Sequence, residues 1–271
     1  MTDIHNYIKR LLDSNPLREP LFRSVVQALQ LPLGSEGLDA GCGIGLQALL
    51  LADAIGPGGH VTGMDIVPEF LDAAEDFTRE AGLSERITYR VGDMNCLPFP
   101  EDTFDWVWSA DCIGYPLGEW APLLKELMRV VRPGGKIVIL AWSSQQLLPG
   151  YPFLEARLNA NYSSYIPFMK GKSSELNFLR APRWFLEAGL EEVSAQTFIR
   201  DIQAPLSSSE RAALTSLFEM LWEEPLPDVS AEDWAEYHRL CKPGSKDIIL
   251  DLPGYYAFFT YTVFRGKVPY R

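Results

Sequence analysis

The chain has 271 residues, 47% of them hydrophobic and 22% charged, with a formal net charge of −12. These are ordinary globular proportions, which argue against bulk disorder, and the length is enough for a full core as one large domain or a domain with insertions. The acidic balance, with no cluster of Lys and Arg, counts against a protein that grips a nucleic-acid backbone. The four cysteines, Cys42, Cys96, Cys112 and Cys241, form no Cys-x-x-Cys pair and have no histidine at ligand spacing. Neither a metal site nor a disulfide framework is therefore expected. No cationic leader precedes an apolar run, and no apolar stretch approaches the roughly 20 residues of a membrane span. A cytoplasmic location is the expectation.

In chain order, residues 1–30 carry an amphipathic helical pattern, with a break expected near Asn15-Pro16. From Gly37 to Trp142, short apolar runs alternate with helical patterns. Strands are expected at 37–40, 60–66, 87–92, 104–110 and 136–142. Helices are expected at 46–55, at 69–80 behind Pro68, and from about 117 to 131, before Pro133-Gly134-Gly135. The run Lys136–Trp142 is continuously apolar, as in a strand covered on both faces. This repetition implies an α/β fold with a doubly wound parallel sheet. Beyond Trp142 the rhythm breaks, and residues 143–180 look irregular and aromatic. A helix at 182–188, a strand near 193–199, helices around 208–223 and 231–240 and a terminal strand at 255–264 follow. The expected organisation is a helical cap at 1–30, a cofactor-binding core at 31–142 and an insertion at 143–180. Core residues 181–202, a second insertion at 203–253 and the closing strand of the core at 254–271 complete it.

The most informative stretch is Leu38-Asp39-Ala40-Gly41-Cys42-Gly43-Ile44-Gly45, an apolar strand, an acid and a glycine-rich exit into a helix. Such a turn lets a ligand approach the main chain closely. It reads G-x-G-x-G, and Leu46 stands where the dinucleotide fingerprint wants its third glycine. Asp65 ends the second strand, where a carboxylate can accept ribose hydroxyls; it could equally cap the helix behind Pro68. Asp93, after the third strand, can accept from an adenine amino group with Met94 framing the ring, or can simply make a turn. Ser109, Ala110 and Asp111 close the fourth strand. In a doubly wound sheet all these strand ends share one edge, where ligands bind.

Leu38–Gly45, Val61–Asp65, Gly92–Phe99 with Asp102-Thr103-Phe104-Asp105, and Arg132-Pro133-Gly134-Gly135 resemble the motifs of class I S-adenosylmethionine-dependent methyltransferases. They are most similar to the ubiquinone/menaquinone-biosynthesis and small-molecule group. The resemblance covers roughly residues 35–142. It implies a Rossmann-like seven-stranded sheet with a reversed last strand, S-adenosyl-L-methionine as cofactor and a small-molecule acceptor. The segments outside the motifs, 1–30, 143–180 and 203–253, are expected to form a lid, and their aromatic and acidic residues point to an aromatic or amine acceptor. Carried over by position, Asp39 would orient the cofactor's amino group, and Gly41 and Gly43 would leave room for its methionine portion. Asp65 would hold the ribose with Ile66 against the adenine, and Asp93 and Met94 would bind the adenine edge. Ser109 and Asp111 would line the methionine side. Tyr115 is the candidate for touching the methyl or the acceptor, with plain packing as its competing role. Tyr151, Phe153, Tyr162, Tyr165 and Phe168 are expected to line an acceptor pocket or to form a small core of their own. The acidic segment 203–253 suits a cationic acceptor or a solvated helix face. A non-catalytic cofactor-binding protein and a nicotinamide-dependent oxidoreductase are the competing functions.

Overall fold

The computed structural model describes residues 4–112, 120–160, 175, 177–222 and 229–270. Tyr115, Tyr162, Tyr165 and Phe168 lie outside the described residues. In chain order the elements begin with α1 (Ile4–Leu29), β1 (Glu36–Ala40), α2 (Leu46–Ile55), β2 (His60–Asp65), α3 (Pro68–Glu80) and β3 (Ile87–Val91). Then come β4 (Phe104–Ala110), α4 (Trp120–Val130), β5 (Val131–Gln146), α5 (Pro152–Ala160) and α6 (Ala181–Ala188). The chain closes with β6 (Glu191–Gln203), α7 (Ser208–Leu221), α8 (Ala231–Cys241) and β7 (Tyr256–Lys267).

The strands form a seven-stranded sheet in the order β3-β2-β1-β4-β5-β7-β6. Strands β3, β2, β1, β4 and β5 pair in parallel. β7 is reversed. Val268 faces Gly134 and Gly135, whereas Thr260 faces Ser143 further along β5. The same opposition runs through β6, where Tyr255 meets Ala204, Thr262 meets Thr197 and Arg265 meets Ser194. The expected Rossmann-like sheet with a reversed last strand is what the chain forms.

The chain divides into two compact units. One comprises Phe22–Trp142, Ser173–Phe198 and Tyr261–Arg271; the other comprises Met1–Leu21, Ser143–Lys172 and Ile199–Thr260. The first holds the parallel strands. Its core includes Leu38, Ala40, Met64, Val107, Leu124, Leu127, Ile137 and Ile139, all fully or nearly fully buried. The second has its own polar ties. Glu155 accepts from the amides of Leu147 and Leu148 at 2.7 and 2.9 Å. Asn159 accepts from Gln145 and Trp222, both at 2.9 Å.

Three local expectations are corrected. Helix α1 does not break at Asn15-Pro16 but runs through both Pro16 and Pro20. Both prolines are exposed, where water can replace the intrahelical partners they lack, while Leu17, Leu21, Phe22 and Val25 are buried. Strand β5 starts before Lys136 and takes in Arg132-Pro133-Gly134-Gly135. Its register against β4 slips between the pairs Phe104–Val131 and Trp106–Lys136, and the proline and glycines absorb the slip as a bulge. Residues 143–146 and 152–160 are regular rather than irregular. β5 continues to Gln146 with alternating burial, and α5 follows behind Pro152.

Gly37 shows how tightly the sheet face is packed. A β-carbon there would lie 2.0 Å from the Trp106 ring, which crosses from β4 onto β1 and donates its indole N–H to Ser35 Oγ at 2.8 Å. Gly37→Ala is expected to destabilise the protein by ~1–3 kcal/mol. A shift of the urea midpoint at constant slope checks this.

Candidate functional site

The C-terminal ends of β1, β2, β3 and β4 lie along one edge of the sheet because these strands are parallel and in register. The turn after β1 folds over the end of β2. Gly41 and Cys42 both donate their amides to Met64 O, at 2.8 and 3.0 Å. Gly41, Gly43 and Gly45 all take positive φ values, 78°, 51° and 76°. Their surroundings differ. At Gly43 a β-carbon would meet nothing within 4 Å, so this point of the turn opens onto free space. At Gly45 it would meet the Tyr89 hydroxyl at 2.4 Å and at Gly41 the Cys112 Sγ at 2.3 Å. Of the three, only Gly43 faces open space.

Asp39 closes β1 with its carboxylate fully enclosed and neither oxygen hydrogen-bonded. Burial, with the charge of Asp65 as a lesser cause, pushes its pKa from 3.8 up to about 8. Asp65 is the opposite case. Its Oδ2 accepts from the Gly43 amide at 2.8 Å and its Oδ1 from the Val67 amide at 3.1 Å. It therefore ties the glycine turn to the start of α3, and each oxygen keeps a second lone pair. Ile66 beside it is exposed.

Asp93 is exposed, and its Oδ1 accepts from the Asn95 amide and side chain, both at 2.8 Å, in a turn closed by Cys96 N on Asp93 O. Met94 is buried, with its Cε 3.2 Å from the β-carbon position of Gly41. Ser109 is fully buried and donates to Ala40 O at 2.7 Å. Asp111 has φ 55°. Its Oδ1 accepts from the Trp142 amide at 3.0 Å and its Oδ2 from the Tyr261 hydroxyl at 2.8 Å. Cys42 is buried, and burial raises its thiol pKa, as expected of a packing thiol. Tyr151 accepts from Arg239 at 3.2 Å, whereas Phe153 is largely exposed.

Three contributors are not apparent from the sequence. Cys112 Sγ donates to Gly41 O at 3.4 Å and fills the space above that glycine. The Tyr89 ring lies against Gly63 and Gly45, with its hydroxyl bonded to Thr78 at 2.8 Å. Glu126 and Arg129, paired at 2.7 Å on α4, hold the segment after Asp93. Glu126 accepts from Leu97 N, and Arg129 donates to the carbonyls of Leu97 and Phe99. Glu126-x-x-Arg129 reads in sequence as an ordinary helix-surface pair, and the roles of Cys112 and Tyr89 depend on contacts between strands.

A methyltransferase-domain family model matches residues 38–135. The chain is 33% identical over 178 residues to a demethylmenaquinone methyltransferase of Bacillus licheniformis, covering 63% of this chain and 71% of that one. It is 28% identical over 197 residues to the Bacillus cytotoxicus demethylmenaquinone methyltransferase, covering 67% and 81%. Among solved structures, a SAM-dependent methyltransferase of Aquifex aeolicus superposes with a TM-score of 0.54 at 17% identity, over 96% of this chain and 97% of that one.

The Asp39 environment sets a pH dependence of stability. Between pH 3.8 and about 8 the folded protein keeps a proton that the unfolded chain has released. The stability contributed by this site is therefore complete below pH 3.8, falls as pH rises through that window, and levels off above it. Asp39→Asn, which keeps the neutral form, should flatten this slope and stabilise the ligand-free protein by a few kcal/mol above pH 8. Urea unfolding of both proteins across pH 5–9 measures the difference, and parallel curves would refute the assignment.

Proposed function

The chain belongs to the class I S-adenosylmethionine-dependent methyltransferases of the quinone-biosynthesis-like group, and from that premise we propose how its site works and what it methylates. It transfers a methyl group from S-adenosylmethionine to a small molecule. The observation that carries the cofactor assignment is the orphaned Asp39 carboxylate, followed four residues on by the open face of Gly43. A buried acid without a partner suits a cationic ligand group, and a glycine facing open space suits a close-lying chain. The cofactor's α-ammonium supplies the first and its methionine portion the second.

In this reading Asp39 takes the ammonium, and Gly41 and Gly43 make room for the methionine chain. Asp65 uses its remaining lone pairs for the ribose hydroxyls while its bonds to Gly43 and Val67 hold it still. Ile66 and Met94 flank the adenine, and Asp93 accepts from its amino group. Ser109 and Asp111, each already tied to neighbouring strands, form the wall on the methionine side. When bound, the cofactor supplies a sulfonium methyl that is electrophilic without further activation. The protein's part is to place the acceptor in line, an effect that can supply ~7–11 kcal/mol of the barrier. Tyr115 is assigned to the acceptor side.

For the acceptor we propose an aromatic quinol of the demethylmenaquinone kind, on the strength of the relatives' activity. Recognition of it is assigned to residues 143–180 and 203–253, outside the cofactor motifs. The amine alternative is weakened by the acidic helices of the second unit. Asp233 pairs with Arg157 at 2.7 Å and Glu236 with Arg239 at 2.7 Å, so these charges are balanced internally.

S-Adenosylhomocysteine release, measured over a panel of naphthoquinols, phenols and amines, should be largest with the naphthoquinols. Turnover confined to amines would refute the acceptor assignment. Asp65→Ala should weaken S-adenosylhomocysteine binding ~10–100-fold, the worth of hydrogen bonds to a charged group. Because the ammonium needs an ionised Asp39, affinity should rise with pH until about pH 8 and then level off. Asp39→Asn should abolish that rise, and calorimetric titration at several pH values reads it directly.

A further inference from the structure

Trp108 on β4 is fully buried, and its indole Nε1 makes no hydrogen bond. Its register partner across the β1–β4 ladder is Asp39, whose two carboxylate oxygens are likewise buried and unbonded. Register partners in a parallel pair project from the same face of the sheet. The neighbouring pair demonstrates this, because Gly37 and Trp106 are partners and the Trp106 ring covers Gly37. Asp39 and Trp108, each with an orphaned polar group, are therefore partners on the same face of strands ~4.8 Å apart.

This coincidence calls for a common cause. Buried polar groups are bonded in roughly nine cases in ten or more, and Trp106, two residues earlier on the same strand, conforms through Ser35. The row across the sheet continues as Gly63 and Tyr89 on one side and Val138 on the other. The Tyr89 hydroxyl already bonds Thr78. Within this row, Asp39 and Trp108 are the polar groups left to meet a ligand.

We propose that Trp108 is a cofactor ligand, its indole N–H donating to the α-carboxylate of the amino-acid end whose α-ammonium lies at Asp39. The proposal rests on the assignment of Asp39 to the ammonium. An α-amino acid carries both groups on one carbon, so an ammonium held by β1 leaves the carboxylate within one strand spacing, where β4 offers a donor. The donor is neutral, which suits its position. A lysine or arginine beside Asp39 would pair with it and take the ammonium's place. An indole N–H recognises the carboxylate and leaves Asp39 to the ammonium. Phe22 of α1 packs edge-on to Trp108 at 6.5 Å and helps fix the ring.

The test compares S-adenosylhomocysteine with its decarboxylated counterpart, titrated calorimetrically into the full-length wild type and W108F above pH 8. Wild type should prefer the carboxylated ligand ~10-fold or more, the worth of a hydrogen bond to a charged group. W108F should bind the decarboxylated ligand as wild type does and lose most of that preference. Full preference in W108F, or none in wild type, overturns the proposal and leaves the cofactor site standing. Failure of wild type to bind either ligand overturns the site as well. If W108F does not fold, the indole N–H resonances of wild type decide. The carboxylated ligand should move one of them downfield and the decarboxylated ligand should not; identical responses overturn the proposal.

Discussion

The strand-end site depends on enclosing the Asp39 carboxylate without giving it a protein partner. A charged carboxylate so placed costs several kcal/mol, and the ligand-free protein avoids that cost by keeping the proton. A partner side chain would remove the penalty. The rest of the cradle takes its shape around this group. Asp65, only one strand away, is held by two amides, and its charge adds to the pressure on Asp39 to stay neutral. Of the two carboxylates, Asp65 organises the turn and Asp39 is kept in reserve.

The turn itself is held from below. Tyr89 can cross β2 because position 63 is glycine, and it reaches the underside of Gly45 for the same reason. Its hydroxyl is anchored on α3 through Thr78, so the ring links β3, β2 and the first turn of α2. Above the turn, Cys112 occupies the space that the missing Gly41 side chain leaves. The glycines thus divide the work. Gly41, Gly45 and Gly63 admit protein, and Gly43 faces open space. G-x-G-x-G is in this chain mainly a packing motif, with one position left open.

The parallel core was legible in the sequence because its signals are local. An apolar run ending in Asp39 or Asp65, followed by glycine or proline, marks a strand end without reference to any other segment. The reversed strand β7 was legible through its aromatic and β-branched run, although only the family resemblance gave its direction. Where the chain departed from expectation, the cause was tertiary. Pro16 and Pro20 would end a helix in isolation, but burial of Leu17, Leu21 and Phe22 carries α1 past them. The glycine pair at 134–135 reads as a turn, yet β5 absorbs it as a bulge against β4. Which residue stands opposite Trp108 is a property of the register, and nothing local in the sequence marks it.

The end of β4 shows where the remaining precision comes from. Ser109 is tied to Ala40 O and Cys112 to Gly41 O, while the Asp111 amide bonds Leu140 O and its carboxylate takes the Trp142 amide and the Tyr261 hydroxyl. These bonds reach β1, β5 and β7. They hold Asp111 at φ 55°, a conformation that costs a non-glycine residue ~1–2 kcal/mol and persists only where its surroundings dictate it. Methyl transfer from a sulfonium depends steeply on alignment, so rigidity of the strand ends matters more to it than an additional acid or base. The strain at Asp111 thus fixes the direction in which the chain leaves β4.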